Sequence, residues 1–351
     1  MKTAISIIKN IAGIKQKPSF VTFFVTWRCN NKCVMCDVWK KEAQRELSAP
    51  EIEAIFKELG EIDAIRISGG EPFLRSDLAE IINIIDKVSR PKVIHITTNG
   101  FLTKKIIETV SKIKNPSKIH IKVSIDGIGE KHDKIRGISG AYDNAIGTIK
   151  ELSELRREKN FYLGVNQTIV GKESMDDYFK LTDILKEFGV KVHPVLAYEN
   201  ATALYSAEKA VEKTPEFKPY GAFDKDILGR FIKSLMKNTG KYGDFKETLV
   251  KKYYLKGLYN RVIKGKNKPK PPCLALKSHL RILPNGDVPV CLYNSTIVGN
   301  LNEKSLKEVW FGINDDMEAS RRWVKNCKGC WAGCETIVSA IYSGDIVKGL
   351  F

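Results

Sequence analysis

Between residues 20 and 196 the chain alternates two hydrophobic periods. Short runs rich in β-branched and aromatic residues fall near 20–26, 64–68, 93–97, 119–125, 161–169 and 191–196, and each reads as a strand. Between them apolar positions recur at helical spacing near 49–59, 77–88, 104–114, 142–159 and 176–188. Ser48-Ala49-Pro50-Glu51 is a capping box with proline in the first turn, and Ser174-Met175-Asp176-Asp177 is a similar opening. Val93-Ile94-His95-Ile96 and Ile119-His120-Ile121-Lys122-Val123 are too apolar for an exposed edge, which predicts a parallel sheet covered by helices. Six strand–helix units, not eight, make this an α/β fold with a partial (β/α)6 TIM-like barrel at 20–196.

The flanks follow other patterns. Residues 1–19 hold a short amphipathic helix, with Ile5, Ile8, Ile11 and Ala12 on one face and Lys2, Lys9 and Lys15 off it. Docking of the apolar face on the barrel is the ordinary expectation, and peripheral attachment to a membrane surface is the alternative. Residues 197–272 form a basic, helical connecting region with helical stretches at 224–238 and 244–263, closed by the proline-rich Lys266–Pro272. Residues 273–351 make a small cysteine-rich α+β module. There Leu280–Val290 reads as a hairpin turning at Asn285-Gly286, with helices near 305–311 and 315–325, the first opened by Ser305-Leu306-Lys307-Glu308.

Composition narrows the class. The chain has 351 residues, 43% hydrophobic and 28% charged, as in a soluble globular protein of two domains. Its longest apolar runs are strand-length, well short of the roughly 20 residues that span a bilayer. Lys9 and Lys15 interrupt any signal-peptide core. Eight cysteines cluster as three at 29–36 and five at 273–334, a distribution of metal ligands rather than disulfides. A reducing cytoplasm is therefore expected. The net charge of +17 favours an anionic partner: nucleic acid, anionic lipid or an acidic redox protein. Solvated lysine faces explain it equally, because the lysines are spread along the chain, and no RNA-binding motif is appended.

The candidate chemistry begins where the first strand ends. Cys29, Cys33 and Cys36 are spaced C-x3-C-x2-C. A closed structural metal site takes four ligands, and so does a ferredoxin-type [4Fe–4S] cluster. Three thiolates on four irons leave one iron open, although a zinc knuckle or scattered thiols can carry the same spacing. The second strand ends in Ser68-Gly69-Gly70-Glu71-Pro72. Its glycines let backbone approach a ligand closely, and its Glu can accept from a cationic amine.

Together, this triplet and this motif at the ends of strands one and two resemble the radical S-adenosylmethionine (radical SAM) superfamily. The resemblance implies that the amino and carboxylate groups of SAM chelate the open iron. It implies that Gly69, Gly70, Glu71 and Pro72 hold the SAM amino group beside that cluster. Thr97-Thr98-Asn99-Gly100 looks like the family's TNG turn, which brings Asn99 to the site. Ser124 and Asp126 follow strand four, pointing the same way, and suit the ribose hydroxyls or the methionyl end of SAM. Arg136 suits a carboxylate by bidentate pairing, with a surface ion pair as the other reading. Asn166 and Val195 sit at heights where relatives touch ribose and adenine. Met35 stands where many relatives have an aromatic residue on the adenine, and a methionine can fill that role. No convincing general base appears; among the histidines only His132 is singled out for testing.

The five distal cysteines carry a second resemblance. Cys273, Gly286 and Cys291, followed by Cys327, Cys330 and Cys334, are similar to the twitch and SPASM auxiliary modules of radical SAM enzymes. Seven cysteines fill a full SPASM module; five fit one auxiliary [4Fe–4S] cluster, or a structural zinc site. Cys273, Cys291, Cys327 and Cys330 are the favoured ligands, and Cys334 is the uncertain member. The resemblance implies reductive cleavage of SAM to a 5′-deoxyadenosyl radical that abstracts hydrogen from a peptide or small metabolite. Modification of a membrane lipid or polyprenol is the alternative, with RNA behind it. An acidic flavodoxin or ferredoxin is the implied electron donor.

Overall fold

The computed structural model describes residues 2–42, 44–198, 204–206, 223–240, 245–313 and 315–349. Parts of the connecting region, at 199–203, 207–222 and 241–244, lie outside the described residues. Helix α1 (Lys2–Ile11) precedes strand β1 (Phe20–Thr26). The alternation then runs α2 (Ala49–Leu59), β2 (Ala64–Gly69), α3 (Leu78–Ser89), β3 (Val93–Thr98), α4 (Thr103–Ser111) and β4 (Ile119–Ser124). It continues through α5 (Glu130–Arg136), α6 (Ala141–Lys159), β5 (Tyr162–Ile169), α7 (Lys172–Lys186) and β6 (Lys191–Leu196). Helices α8 (Lys225–Asn238) and α9 (Phe245–Val262) follow, and then strands β7 (His279–Ile282), β8 (Asp287–Pro289) and β9 (Ile297–Asn300). Helices α10 (Asp315–Asn326) and α11 (Gly333–Tyr342) close the described chain.

All six expected strands form, in a parallel sheet of order β6-β5-β4-β3-β2-β1-β7. One sheet face is apolar and buried under the helices, through Ile65, Ile67, Ile94, Ile96, Ile121, Val123 and Val165. The opposite face is polar and half-buried, with Arg66, His95, His120, Lys122, Tyr162 and His193. The capping box at Ser48 is real: Ser48 N–H donates to Glu51 at 2.9 Å. The one at Ser174 is not. Helix α7 starts two residues earlier, and Asp177 instead accepts from Ile128 N–H and Lys131.

Two expectations change in the flanks. Asn285-Gly286 does turn the chain, with Gly286 at φ +94° and Leu283 N–H donating to Asp287 O at 2.8 Å. Yet the segments on either side join different sheets. Strand β7 pairs in parallel with β1, and β8 pairs antiparallel with β9. The first strand of the C-terminal module is thus the seventh strand of the barrel sheet. Helix α1 is also reversed. Its polar face docks: Ser6 meets Ser19 at 2.5 Å, and Asn10 donates to Tyr342 O at 3.0 Å and accepts from Ser278 at 2.5 Å. Ile5, Ile8 and Ile11 are exposed, while Ile7 is half-buried.

Helix α9 carries a glycine at mid-helix for a steric reason. A Cβ on Gly257 would stand 2.0 Å from the Trp331 ring. Trp331 is fully buried, stacks on Tyr254 at 6.0 Å and donates from Nε1 to Tyr254 O at 3.0 Å. Gly→Ala within a helix ordinarily stabilises by about 1 kcal/mol. Here Gly257→Ala is expected to destabilise by about 1–3 kcal/mol through overpacking, read by urea denaturation. A gain in stability would contradict this packing.

Candidate metal and cofactor site

Cys29, Cys33 and Cys36 lie on the loop leaving β1, half-buried and unpaired. Three straps fix that loop. The first is the exit of β2: Gly70 N–H donates to Thr26 O, and Glu71 N–H to Arg28 O, each at 2.8 Å. A Cβ on Gly69 would lie 2.1 Å from Thr26 O, and one on Gly70 2.1 Å from Arg28 O. The glycine pair is therefore required first by backbone meeting backbone.

The second strap runs through Glu71, which is buried. Its carboxylate accepts from Thr98 Oγ1 at 2.8 Å, Asn99 N–H at 2.6 Å and Phe73 N–H at 3.1 Å. Burial pushes this carboxyl up to about 7, against the pull of those donors. Asn99 in turn donates from Nδ2 to Asn30 Oδ1 at 2.7 Å and Asn31 Oδ1 at 3.2 Å. So Glu71 joins the ends of β2 and β3, and Asn99 passes that hold to the cysteine loop.

The third strap is α5. Lys32 N–H donates to Arg136 O at 2.9 Å and Val34 N–H to Ile135 O at 3.0 Å. Arg136 Nη2 pairs with Asp126 Oδ2 at 2.6 Å, and Nη1 lies 3.8 Å from Cys33 Sγ. Burial opposes the Arg136 charge, but Asp126 and Cys33 raise its pKa above the ordinary value. Asp126 Oδ1 also accepts from Thr168 N–H at 2.7 Å. Its carboxylate thus holds both Arg136 and Thr168, and the surface-ion-pair reading of Arg136 gives way to a buried pair. His132 is buried too: Nδ1 accepts from Asp126 N–H at 2.9 Å, and burial lowers its pKa to about 3. Through Nδ1 it anchors backbone, while its Nε2 is buried without a hydrogen-bond partner.

Register brings the remaining candidates together. Ser124 lies opposite Asn166, and Val195 opposite Thr168, the residue that binds Asp126. Met35 is half-buried in the loop. Sequence reasoning missed Asn30, Asn31, Thr98 and Arg75. Arg75 is buried and donates to Val25 O at 3.1 Å and Leu47 O at 2.9 Å, fixing the end of β1. Its place three residues after Pro72 was the available signal.

The donor set suits an iron–sulfur cluster. Burial raises Cys29 and Cys36 to about 11, and raises Cys33 against the pull of Arg136. Among the described residues no three thiols, imidazoles or carboxylates are closed up to ligand geometry. Thiols without a cation have no reason to converge, because binding is what removes their protons. The Nδ2 atoms of Asn30 and Asn31 are buried without partners beside the three thiols. These are donors facing a site that accepts hydrogen bonds.

The distal cysteines form a second setting. Cys273 precedes β7, Cys291 follows β8, Cys327 and Cys330 lie between α10 and α11, and Cys334 begins α11. Tyr293 N–H donates to Cys291 Sγ at 3.4 Å and Gly329 N–H to Cys327 Sγ at 3.3 Å. Charge interactions link Cys273 with Cys327, and Cys330 with Cys273 and Cys291. Cys334 responds chiefly to burial and then to Glu335, Arg66 and Arg281. Beneath them Arg281 pairs with Glu335, donates to Val290 O at 3.2 Å and contacts His279 at 3.1 Å. Burial, and then the charges of both Cys334 and Cys36, push the pKa of the buried Tyr205 hydroxyl up.

Residues 24–182 match the radical SAM superfamily, and residues 273–331 match SPASM, an iron–sulfur cluster-binding domain. Among curated proteins the chain is 34% identical over 177 residues to the Fe-coproporphyrin III synthase of Methanosarcina barkeri, covering 49% of this chain and 42% of that one. It is also 34% identical over 177 residues to the GTP 3',8-cyclase of Aquifex aeolicus, covering 47% and 52%. The chain thus spans about half the length of these relatives. Streptococcus suis SuiB, solved with S-adenosylmethionine, shares the fold at a TM-score of 0.61 and 19% identity, covering 92% of this chain and 72% of that one. SuiB has also been solved with its precursor peptide SuiA.

The Arg136–Asp126 pair is fully enclosed, so breaking it strands a buried charge. Arg136→Met is expected to cost about 3–5 kcal/mol in urea denaturation, and the double variant Asp126→Asn/Arg136→Met markedly less. Additive costs would contradict the pairing.

Proposed function

We propose, for a chain that joins a radical SAM domain to a C-terminal SPASM module, that it cleaves S-adenosylmethionine reductively and abstracts hydrogen from a peptide or small metabolite. The observation that supports this most is the three-thiol loop, strapped from β2, β3 and α5 and carrying no fourth thiol. The radical SAM domain implies a [4Fe–4S] cluster with SAM, and the SPASM domain implies an auxiliary Fe–S cluster. When bound, the first cluster supplies the electron that breaks the SAM sulfonium and releases a 5′-deoxyadenosyl radical.

The chain's own residues divide the work. Cys29, Cys33 and Cys36 would hold the first cluster. Arg136, kept cationic by Asp126, sits against Cys33 and favours its thiolate. The Gly69–Pro72 backbone and Asn99 would line the methionyl end. Glu71 serves by holding that backbone, since its oxygens already accept three donors. Ser124, Asn166, Val195 and Met35 would bound the nucleoside. Cys273, Cys291, Cys327 and Cys330 would hold the auxiliary cluster; the SPASM match ends at residue 331, before Cys334. A peptide substrate is favoured by the likeness to SuiB. An acidic flavodoxin or ferredoxin in a reducing cytoplasm suits the charge of +17. Nucleic acid has no specific feature in its favour.

Anaerobic reconstitution tests the reading. About eight irons per chain are expected, with 5′-deoxyadenosine formed from SAM under reductant. Replacing Cys29, Cys33 and Cys36 with Ala should remove about half of the iron and all SAM cleavage. Replacing Cys273 and Cys291 should spare the cleavage. Zinc in place of iron, with no cleavage, would overturn the proposal.

A further inference from the structure

Helix α1 presents an apolar face that nothing in the described structure covers. Ile5, Ile8 and Ile11 on the helix and Ile14 just past its end are 44%, 63%, 70% and 51% exposed. The helix can afford this because its polar side already docks, through Ser6, Asn10 and Thr3. Scattered exposed isoleucines are ordinary; three on one ten-residue helix, with a fourth three residues past its end, are not. No acidic residue occurs before Asp37.

The stripe leads to a cavity of about 500 Å³, which Gly13, Ile14 and Lys15 help to line and whose far side includes Cys273 and Cys327. Lys15, Lys270, Lys277, Arg321 and Lys325 surround that cavity, and among the described residues no acidic side chain lines it. Its apolar floor comes from Phe311, Val324 and Leu276. A further isoleucine, Ile313, lies two residues beyond Phe311 and is 79% exposed.

We infer that α1 and this basic cavity form one docking face for an anionic phospholipid membrane surface. The occupant must be apolar where the isoleucines lie and anionic where the cations lie, and the bilayer boundary is both. A second copy of the chain would bring the same five cations to the same place, so like charge opposes it. A soluble acidic protein would meet the cations but leave the isoleucine stripe in water. No helix of the described residues is long and apolar enough to cross a membrane, so the contact is peripheral. The inference does not depend on the substrate, since none of these isoleucines and cations is assigned to SAM or substrate; Cys273 and Cys327, which also line the cavity, stay with the auxiliary cluster.

The test uses the full, anaerobically reconstituted chain and vesicles of phosphatidylcholine with or without phosphatidylglycerol. Co-sedimentation is expected with the phosphatidylglycerol vesicles and should weaken as salt is raised. Ile8→Ser/Ile11→Ser and, separately, Lys15→Gln/Lys270→Gln should each lower the partition coefficient at least about tenfold. Unchanged circular dichroism and iron content would show that both variants fold. Failure of the wild-type chain to sediment with either vesicle overturns the inference, as do variants that bind equally well. So does an isoleucine variant that changes only the mass in solution, which would assign the face to a second copy. Saturable binding of an acidic flavodoxin there, without vesicle binding, would assign it to a protein partner and also overturn it.

Discussion

A loop meant to leave one coordination position open cannot rely on its own ligands to hold its shape. Three thiols within eight residues give no fourth contact to close the ring, and when ionised they repel one another. The shape must come from outside the loop. In this chain it comes from three straps, and the one that joins neighbouring strands turns on a buried carboxylate. Glu71 ties the end of β2 to Thr98 and Asn99 at the end of β3, and Asn99 reaches Asn30 and Asn31 between the cysteines. The closeness of Gly69 and Gly70 to Thr26 and Arg28 sets the height of that tie. Helix α5 then backs the loop from the other side and brings Arg136 against Cys33.

The same economy governs the distal cysteines. They come from separated parts of the chain, so their common framework matters more than any one of them. Strand β7 fastens the module to the barrel by pairing with β1, the strand that also delivers the first cysteine loop. His279 on β7 meets Thr22 on β1 at 2.8 Å, and Arg281 on β7 pairs with Glu335 on α11. Burial resists the Glu335 charge, but Arg281 and His279 hold its carboxyl well below the usual range. Both cysteine sets are thereby referenced to one strand, β1, whose Phe24 also packs on Tyr205 at 5.9 Å.

Much of this was legible in the sequence, and the exceptions have physical reasons. The six barrel strands announce themselves because one face of each must be apolar under the helices. The cysteines and the Gly-Gly-Glu-Pro turn are legible because few arrangements place such residues at the ends of neighbouring strands. Strand β7 is only four residues long and abuts an Asn-Gly turn, so a local hairpin looked sufficient. Helix α1 was misread because hydrophobic periodicity ranks its faces by polarity. The actual contacts are made by Ser6 and Asn10, whose specific partners lie far away in sequence. Asp126 and Glu71 read as ligand contacts, and His132 as the one histidine to test for acid–base work, because they are polar and near the site. Glu71, Asp126 and His132 Nδ1 each hold a neighbouring residue, which only coordinates reveal.

The central claim is that the N-terminal loop holds a cluster with one position open to SAM. The most direct measurement is electron paramagnetic resonance of the reduced chain in which Cys273, Cys291, Cys327 and Cys330 are replaced by Ala. A single [4Fe–4S] signal is expected, and its g-values should shift when SAM is added. A signal that SAM leaves unchanged, or no iron–sulfur signal at all, would contradict the account.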